Sequence, residues 1–475
     1  MHRMSATDAA FLATETPDMH MHVVWVLLLD ATEVPAGSAF ARIERALDAR
    51  MHLLAPLRRR AVEIPGAVDF PMWVEDPEFR LGNHLVQATL PEPGGPAELA
   101  AFVGAVASRP LDRGRPLWEL WVVDGIADGS VAIVTKLHHA IMDGAAGGEL
   151  MANLLDLTPE GVPVEAPAAA WKPDALPSGA RLVVIGTLAR IGRLLRLPRA
   201  LAAVTWSSGA AARAWVGQRI GGASAPLMAP RAPFNGSLTP RRVVSFVRCS
   251  LEDLKTVKRA FNTTVNDVVL AATASSLRDY LLATDALPDR ALIAAVPVDV
   301  RRGDAAGMDG NRVSNMMVPL PVGIDDPVAR LHIVHESALA AKEMHRAAGP
   351  ELLADSLELV APVALIAGAR AYSRLGLARL HPPIFNLIVS NVAGPPVPLY
   401  VGGMRVLATY PMGPLMEGSG LNLTILSDMG GVDVGVMACP DLMPDPDAIT
   451  AGFVRGIDEL LGAAGVTSQP RAGAE

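Results

Sequence analysis

Two kinds of hydrophobic pattern alternate along the chain and predict its secondary structure. Uninterrupted apolar runs of strand length, rich in β-branched residues, predict buried strands over residues 22–30, 130–137, 243–250, 291–298, 384–392 and 404–411. Apolar residues at helical spacing predict helices over residues 97–108, 147–155, 251–261, 265–282, 327–342 and 448–461. Since strands and helices occur together in both halves, we expect an α/β (α+β) fold of two domains, each with its own core.

The segment between the two halves has a different composition. Five prolines, with alanines between them, punctuate residues 158–179, which is typical of an extended linker. A stretch rich in Gly, Ala and Pro then runs through residues 221–240. We therefore divide the chain into an N-terminal domain (residues 1–157), a linker (158–239), a C-terminal domain (240–465) and a flexible tail (466–475).

The composition indicates a folded protein. Hydrophobic residues make up 51% of the chain and charged residues 19%, which is not the composition of a disordered protein. The longest uncharged windows do not predict a membrane span of ~20 residues, because residues 381–404 contain five prolines and residues 359–369 are too few. The sequence begins without the apolar core of a signal peptide. Its two cysteines, Cys249 and Cys439, provide neither a disulfide framework nor a CxxC metal site. We therefore expect a cytoplasmic protein.

The charges are unevenly distributed. A formal net charge of −8 argues against a nucleic-acid-binding protein, yet residues 175–251 contain eleven arginines and no Asp, Glu or Lys. At about 100° per residue, one half of a helical wheel carries Arg181, Arg190, Arg193, Arg196 and Arg199. The other half carries Val183, Val184, Leu188, Ile191, Leu194, Leu195 and Leu201. Such a helix predicts peripheral binding to an anionic membrane or lipid droplet. The alternative is that its apolar half packs on the protein's own domains.

A pair of histidines is the strongest candidate for chemistry. His138 and His139 follow an apolar strand, and Asp143-Gly144 forms a turn after them. Adjacent side chains of an extended backbone point to opposite faces, so only one of the two histidines can serve a given cleft. Histidine suits a general base because its ordinary pKa lies near neutral pH. Two alternatives remain at this point: a pair of core histidines, or a metal site with Asp143 that needs a third ligand.

Other polar residues near predicted element ends are candidates with structural alternatives. Thr264 and Asp267 have the spacing of a helix-capping box, whereas the amide of Asn266 is available to stabilise an oxyanion. Trp118 suits either the core or the wall of a substrate tunnel. Ser390 and Asn391 end an apolar strand before a Gly-Pro turn and either line the site or only shape that turn.

Four motifs, in this order along the chain, resemble those of one enzyme family. Pro116-Leu117-Trp118 is similar to a PLW motif, and residues 138–144 match the HHxxxDG signature of CoA-dependent acyltransferases and condensation domains. Residues 266–271 are similar to an NDVVLA motif, and residues 390–395 to SNVPGP with Ala393 in place of a proline. Together these motifs resemble the bacterial wax ester synthase/acyl-CoA:diacylglycerol acyltransferase family.

The resemblance implies a fold and a reaction. The fold is that of chloramphenicol acetyltransferase-like proteins, with two domains, a tunnel at their interface and a long basic crossover linker. His139 would take the proton of an acceptor hydroxyl, and the alkoxide would attack the thioester of an acyl-CoA without a covalent enzyme intermediate. Asp143 and Gly144 would shape the loop, with the acid pairing with an arginine such as Arg301 or Arg302.

The resemblance also implies substrates and site residues. Long-chain acyl-CoA would be the donor, diacylglycerol or a long-chain alcohol the acceptor, and neither a metal nor any other cofactor would be needed. The catalytic positions would be His138, His139, Asp143, Gly144 and Asn266. The substrate-binding positions would be Pro116, Leu117, Trp118, Asp267, Ser390 and Asn391.

Two other functions stay open at the level of the sequence. One is another HHxxxDG enzyme, of the condensation or polyketide-associated type, that takes its acyl group from a carrier protein. The other is a lipid-binding protein that keeps the fold without catalysis, although the intact histidines and Gly144 argue against it.

Overall fold

The computed structural model describes residues 1–35, 37–141, 153–161, 164–165, 171–173, 175–194, 229–299, 313–348 and 362–466. The α-helices are α1 (Ala6–Thr14), α2 (Ala39–Arg50), α3 (Pro96–Ala107), α4 (Gly179–Leu194), α5 (Leu251–Phe261), α6 (Val265–Ala283), α7 (Pro327–Ala348), α8 (Pro362–Arg374) and α9 (Pro446–Ala463). The strands are β1 (His2–Arg3), β2 (His22–Leu29), β3 (Arg59–Val62), β4 (Met72–Glu75), β5 (Leu85–Thr89), β6 (Trp118–Asp124), β7 (Val131–His138), β8 (Val243–Ser250), β9 (Leu292–Asp299), β10 (Val313–Leu320), β11 (Leu387–Ala393), β12 (Tyr400–Val401), β13 (Met404–Met412), β14 (Leu421–Ser427) and β15 (Gly431–Ala438).

A six-stranded sheet of order β12–β13–β2–β7–β6–β5 carries the histidine pair. Its central strand β7 pairs antiparallel with β2 and β6, so that His22 lies opposite His138 and Trp118 lies opposite Leu137. Side chains alternate between the two faces of the strand. Ile133 and Leu137 pack beneath α1 and α2, whereas Ala132 and Val134 face the other half of the molecule.

The second six-stranded sheet has the order β10–β9–β11–β14–β15–β8. Asn266 lies in α6, one of the helices that pack on this sheet. β11 runs parallel to both β9 and β14, while the remaining pairs are antiparallel. Helices α6, α7 and α9 cover this sheet, and α6 is almost fully buried because apolar residues surround it on most sides. A third, smaller sheet has the order β1–β4–β3.

The two large sheets are joined by a shared core and by strands that cross between them. β12 and β13 come from the second half of the sequence, but β13 pairs antiparallel with β2 at the edge of the first sheet. Between the sheets, Val24 and Val26 pack with Val244, Met437 and other apolar residues of the second half. The interface is therefore a hydrophobic core. The chain crosses between the two sheets more than once, because β12 and β13 of the first sheet lie in sequence between β11 and β14 of the second.

The predicted elements agree with the observed ones where the structure describes them. The strands predicted over residues 22–30, 130–137 and 404–411 are confirmed as β2, β7 and β13, and the helix over 265–282 is confirmed as α6. The predicted helix over residues 147–155 lies largely outside the described residues. Among the described helices, none combines the length and the hydropathy needed to cross a membrane.

Helix α4 contains the described part of the predicted amphipathic helix, residues 181–201. Leu182 is buried against Ile64, Met72 and Val74, and Arg190 donates a hydrogen bond to the Val68 carbonyl at 3.1 Å. The opposite side of α4 is apolar and exposed, with Val184 at 58%, Leu188 at 65% and Ile191 at 49% exposure. The alternative in which the apolar half packs on the protein is thus wrong for these three residues. The rest of this predicted helix, residues 195–201, lies outside the described residues.

Candidate active site

His138 closes β7 and holds the turn that follows it. Its backbone N–H donates to the Leu117 carbonyl at 2.9 Å, and its Nδ1 accepts the Ala140 N–H at 3.1 Å. Since Nδ1 accepts, the neutral ring carries its proton on Nε2, which lies 3.7 Å from Glu15 Oε2. The side chain is fully buried, and this burial lowers the pKa of His138 well below its ordinary value. His138 is therefore a neutral structural residue of the turn.

His139 occupies a different environment although it is the next residue. Its backbone N–H donates to the Met21 carbonyl at 2.7 Å, and its half-buried ring packs on Phe11 of α1 with a centroid distance of 4.2 Å. Burial lowers the pKa of His139 to about 4. The imidazole is thus neutral at neutral pH and has an unprotonated nitrogen that can accept a proton.

Helix α1 places Phe11 over His139 and is anchored at both ends. The Ser5 hydroxyl caps the N-terminus by accepting the Asp8 N–H at 3.1 Å. At the other end, Arg113 donates to the Leu12 carbonyl at 2.7 Å and to Glu15 Oε2 at 2.9 Å. The same carboxylate faces His138, so the helix is fixed relative to the end of β7.

The PLW residues lie next to the histidines. Leu117 accepts the His138 N–H, and Pro116 is buried beside it. Trp118 is buried, stacks on His84 at 4.5 Å and donates from Nε1 to the Leu57 carbonyl at 2.7 Å. Trp118 and Leu137 also line an apolar cavity of about 60 Å³ between this sheet and α2. Trp118 is therefore both a core residue and a cavity wall.

The asparagine pair belongs to the second sheet. Asn391 Nδ2 donates to Asn266 Oδ1 at 3.3 Å, which joins β11 to the first turn of α6. This bond uses the side-chain oxygen of half-buried Asn266, so the NH₂ group of Asn266 can still donate hydrogen bonds. Ser390 is half-buried, and since successive strand residues alternate, it points to the face opposite Asn391.

Asp267 has a capping role. Its Oδ2 accepts the Thr264 N–H at 2.8 Å and the Thr264 hydroxyl at 2.8 Å, while the Thr264 hydroxyl accepts the Asp267 N–H. This is the reciprocal capping box that the sequence predicts as one of its alternatives. Asp267 is buried, and its Oδ2 also lies 2.7 Å from His335 Nδ1.

Comparison with known protein families decides between the functional classes. The family "wax ester synthase/diacylglycerol acyltransferase catalytic domain" matches residues 4–269, and the "WS/DGAT C-terminal domain" matches residues 309–461. The chain belongs to the wax ester synthase/diacylglycerol acyltransferase family. It is an acyltransferase, as the motifs indicate.

Individual relatives cover nearly the whole chain. A Mycobacterium tuberculosis protein named as a diacylglycerol O-acyltransferase, Rv1760, is 36% identical over 464 residues, covering 97% of this chain and 90% of the relative. A second one, Rv0221, is 34% identical over 469 residues, covering 98% of this chain and 97% of the relative.

Solved structures of the same fold include one member of the wax ester synthase/diacylglycerol acyltransferase family. The enzyme of Marinobacter aquaeolei VT8 superposes with a TM-score of 0.70 at 26% identity, covering 98% of this chain and 100% of that one. The starter condensation domain of rhizomide synthetase superposes with a TM-score of 0.56 at 16% identity, covering 99% and 95%. That likeness is one of fold alone, so the chloramphenicol acetyltransferase-like fold is confirmed, while a carrier-protein donor gains no support from it.

The predicted site residues fall into two groups, one on each large sheet, and some of them lie outside the described residues. The first sheet brings together His138, His139 and the PLW residues, whereas Asn266, Asp267, Ser390 and Asn391 belong to the second. Four of the residues predicted for the site lie outside the described residues: Asp143, Gly144, Arg301 and Arg302. Within the described part, no three His, Cys, Asp or Glu side chains converge as metal ligands.

Residues around the site that sequence reasoning missed are Phe11, Arg113, His22 and Lys136. Lys136 is fully buried, pairs with Glu119 at 3.0 Å and donates to the Val106 and Arg109 carbonyls at the end of α3. His22 Nε2 lies 2.9 Å from the neighbouring Ala107 carbonyl. Lys136 and His22 thus satisfy carbonyl groups at the C-terminal end of α3 and just after it. Their signal in the sequence is weak, because their partners are far away along the chain.

Proposed function

We propose that this enzyme transfers a long-chain acyl group from acyl-CoA to the hydroxyl of diacylglycerol or of a long-chain alcohol. The observation that carries the proposal is His139, a neutral and half-buried imidazole at the end of β7 in a member of an acyltransferase family. The names of the relatives support the substrates, since the mycobacterial proteins are named for diacylglycerol and the Marinobacter enzyme also for wax ester synthesis.

The proposed reaction is direct acyl transfer. His139 accepts the proton of the acceptor hydroxyl as its oxygen attacks the thioester carbonyl, forming the C–O bond of a tetrahedral intermediate. The C–S bond then breaks, and the protonated imidazole returns its proton to the CoA thiolate. The amide NH₂ of Asn266 is the proposed donor to the oxyanion, and Asp143 and Gly144 shape the loop after the histidines.

The proposed reaction uses no metal and no cofactor other than its acyl-CoA substrate. Prolonged dialysis against a chelator is therefore expected to leave the rate of thiol release unchanged, because a neutral imidazole accepts a proton without Lewis-acid help. The measurement is acyl-CoA turnover before and after dialysis, with the residual metal content determined in parallel. Activity that disappears with the metal and returns with added zinc would contradict the base mechanism.

The acyltransfer itself is tested with purified protein, palmitoyl-CoA and either dioleoylglycerol or hexadecanol. We expect acceptor-dependent thiol release and formation of the corresponding ester. A palmitoyl group on a carrier protein is the comparison donor. Transfer from the carrier protein but not from CoA would favour the condensation-type function, and the absence of turnover with either donor would favour a lipid-binding role.

We further propose that α4 binds the surface of a membrane or lipid droplet. An acceptor that hardly dissolves in water has to be taken from such a surface. Val184, Leu188 and Ile191 form an exposed apolar stripe at helical spacing, and the arginine-rich sequence around them is suited to anionic headgroups. Arg190 is held on the protein side of α4, so the apolar stripe is the part that faces outward.

Replacing this stripe is expected to weaken membrane binding. The triple variant Val184→Ser, Leu188→Ser, Ile191→Ser should bind anionic vesicles at least about tenfold more weakly, because less apolar surface enters the lipid. Vesicle flotation measures the binding. The matched control is Leu282→Ser, Ile333→Ser, Leu339→Ser, which removes three exposed apolar side chains from α6 and α7. Equal binding by both triple variants would show that α4 does not make the membrane contact.

A further inference from the structure

His335 on α7 is a histidine outside the four motifs that contacts one motif residue, Asp267 in the first turn of α6. Its Nδ1 lies 2.7 Å from Asp267 Oδ2. An ionised carboxylate only accepts hydrogen bonds, so Nδ1 is the donor of this bond. The side chain of Asp267 is 4% exposed and that of His335 is 27% exposed. His335 therefore supplies a donor to a carboxylate that has little access to water.

The carboxylate of Asp267 holds the first turn of α6 together. Its Oδ2 accepts the N–H and the hydroxyl of Thr264, each at 2.8 Å, in addition to the bond from His335. Three donors thus converge on one buried oxygen atom. Without the imidazole, the orientation of this carboxylate would be set by Thr264, a neighbour in the same turn, and no longer by α7.

Helix α7 is a firm support for this contact because it is anchored on α6 at other positions. Leu331 and Val334 are fully buried in the core that includes α6. Arg330 donates to the Ser275 hydroxyl of α6 at 3.1 Å. The two helices run antiparallel, since α7 contacts the middle of α6 first and its N-terminal turn later. His335 is thus the residue by which α7 reaches the turn that carries Asn266.

Asn266 directly precedes Asp267 and is held from another side by β11. Its side-chain oxygen accepts from Asn391 Nδ2 at 3.3 Å, which is long for a hydrogen bond and fixes the amide only loosely. The remaining precision has to come from the backbone of the turn, which Asp267 and His335 hold. This precision matters for catalysis, because a displacement of about 1 Å can cost about 10²-fold in rate.

We infer that His335 is a positioning residue that fixes, through Asp267, the orientation of the Asn266 amide toward the oxyanion. The inference rests on the proposed function, in which Asn266 is the oxyanion donor, and adds a residue to it. His335 makes no contact with the substrate and transfers no proton in this arrangement. Its effect should therefore fall on kcat and should depend on the presence of Asn266.

Steady-state kinetics test the inference. We expect His335→Ala to lower kcat by about 10–100-fold, less than the 10²–10³-fold that the loss of an oxyanion donor costs. KM for palmitoyl-CoA should stay within about twofold, because the lost interaction is one made in the transition state. The matched control is His332→Ala, one turn earlier on α7, where the exposed ring lies 6.3 Å from that of Phe261. This control should change kcat by less than about twofold.

Two further variants show whether His335 acts through its neighbours. Asparagine carries an N–H close to the place of the histidine Nδ1, so His335→Asn should keep most of the activity. In the double variant Asn266→Ala, His335→Ala, kcat should equal that of Asn266→Ala, because residues that act as a unit are not additive. Multiplied losses in the double variant would overturn the inference. An inactive but folded His335→Asn would also overturn it, since the imidazole itself would then take part in the chemistry.

A measurement independent of turnover is the NMR signal of the Asn266 side-chain amide. The protein is prepared with isotope-labelled asparagine, and Asn266→Ala assigns the signal. We expect the signal to shift in His335→Ala and to stay in place in His332→Ala. The melting temperature shows whether each variant is folded, and His335→Leu, which fills more of the space, is the substitute if His335→Ala is not.

The outcomes separate the inference from the proposed function. If Asn266→Ala keeps the full kcat, the oxyanion role of Asn266 is wrong, and the amide signal alone then decides whether His335 orients Asn266. If the unmodified protein releases no thiol, the proposed function fails and the same signal decides. If Asn266→Ala is impaired while His335→Ala keeps the full kcat and an unshifted signal, the inference is wrong.

Discussion

His139→Ala is expected to lower kcat by about 10²–10⁴-fold, the usual contribution of a general base. The fold should persist, because the hydrogen bond from His139 to Met21 is made by the backbone and the ring is only half-buried. Acyl-CoA turnover measures the rate, and the melting temperature shows that the variant is folded.

The matched variant His138→Ala should lose more stability and less activity than His139→Ala. It removes a fully buried ring and leaves the Ala140 N–H without its acceptor, a loss of about 1–3 kcal/mol in the free energy of unfolding. Its turnover should fall less than that of His139→Ala. If His138→Ala costs more activity at an unchanged melting temperature, the roles of the two histidines are inverted.

The pH dependence of the rate is a second test of whether His139 is the general base. Protonated His139 cannot accept a proton, so the rate should fall as the pH decreases through the pKa of the ring. Since burial lowers this pKa to about 4, kcat/KM should be nearly constant from neutral pH down to about pH 5. An acid limb near the ordinary histidine pKa of about 6.5 would indicate a more solvated base.

Arg248→Met is expected to lower the free energy of unfolding by about 3–5 kcal/mol, because it leaves a buried carboxylate without its counter-ion. Arg248 on β8 makes bonds of 2.7 and 2.6 Å to both oxygens of Asp433 on β15, whose side chain is fully buried. Asp433 Oδ2 also accepts the Thr409 N–H at 2.8 Å, and Thr409 belongs to β13 of the first sheet. The ion pair therefore positions the carboxylate that holds β13 against the second sheet. Chemical denaturation measures the loss.

Two controls separate a buried charge from a general effect of losing an arginine. Arg241→Met breaks the exposed pair with Asp441 and should leave the free energy of unfolding almost unchanged, because solvent screens this pair. The double variant Arg248→Met, Asp433→Leu removes both charges and should recover much of the stability, except for the unsatisfied Thr409 N–H. If the double variant is no more stable than Arg248→Met, the destabilisation does not come from an unpaired Asp433.

What the sequence determined by itself is what short-range interactions encode. The capping box of Thr264 and Asp267 lies within one helical turn, so the start of α6 could be predicted. The apolar run before His138 placed the histidine pair at the end of a strand, and the helical periodicity of the arginine-rich segment predicted α4. The four motifs, each a short string of residues, were sufficient for the family.

The tertiary structure alone decided what depends on distant partners. β13 joins the first sheet through pairing with β2, nearly 400 residues earlier, and no local pattern specifies that partner. Periodicity showed that α4 has two sides, but only its packing on Ile64 and Val68 shows that the side of Val184 faces outward. The low pKa of His139 likewise results from burial beneath α1, because desolvation depends on the groups that the fold assembles around the ring.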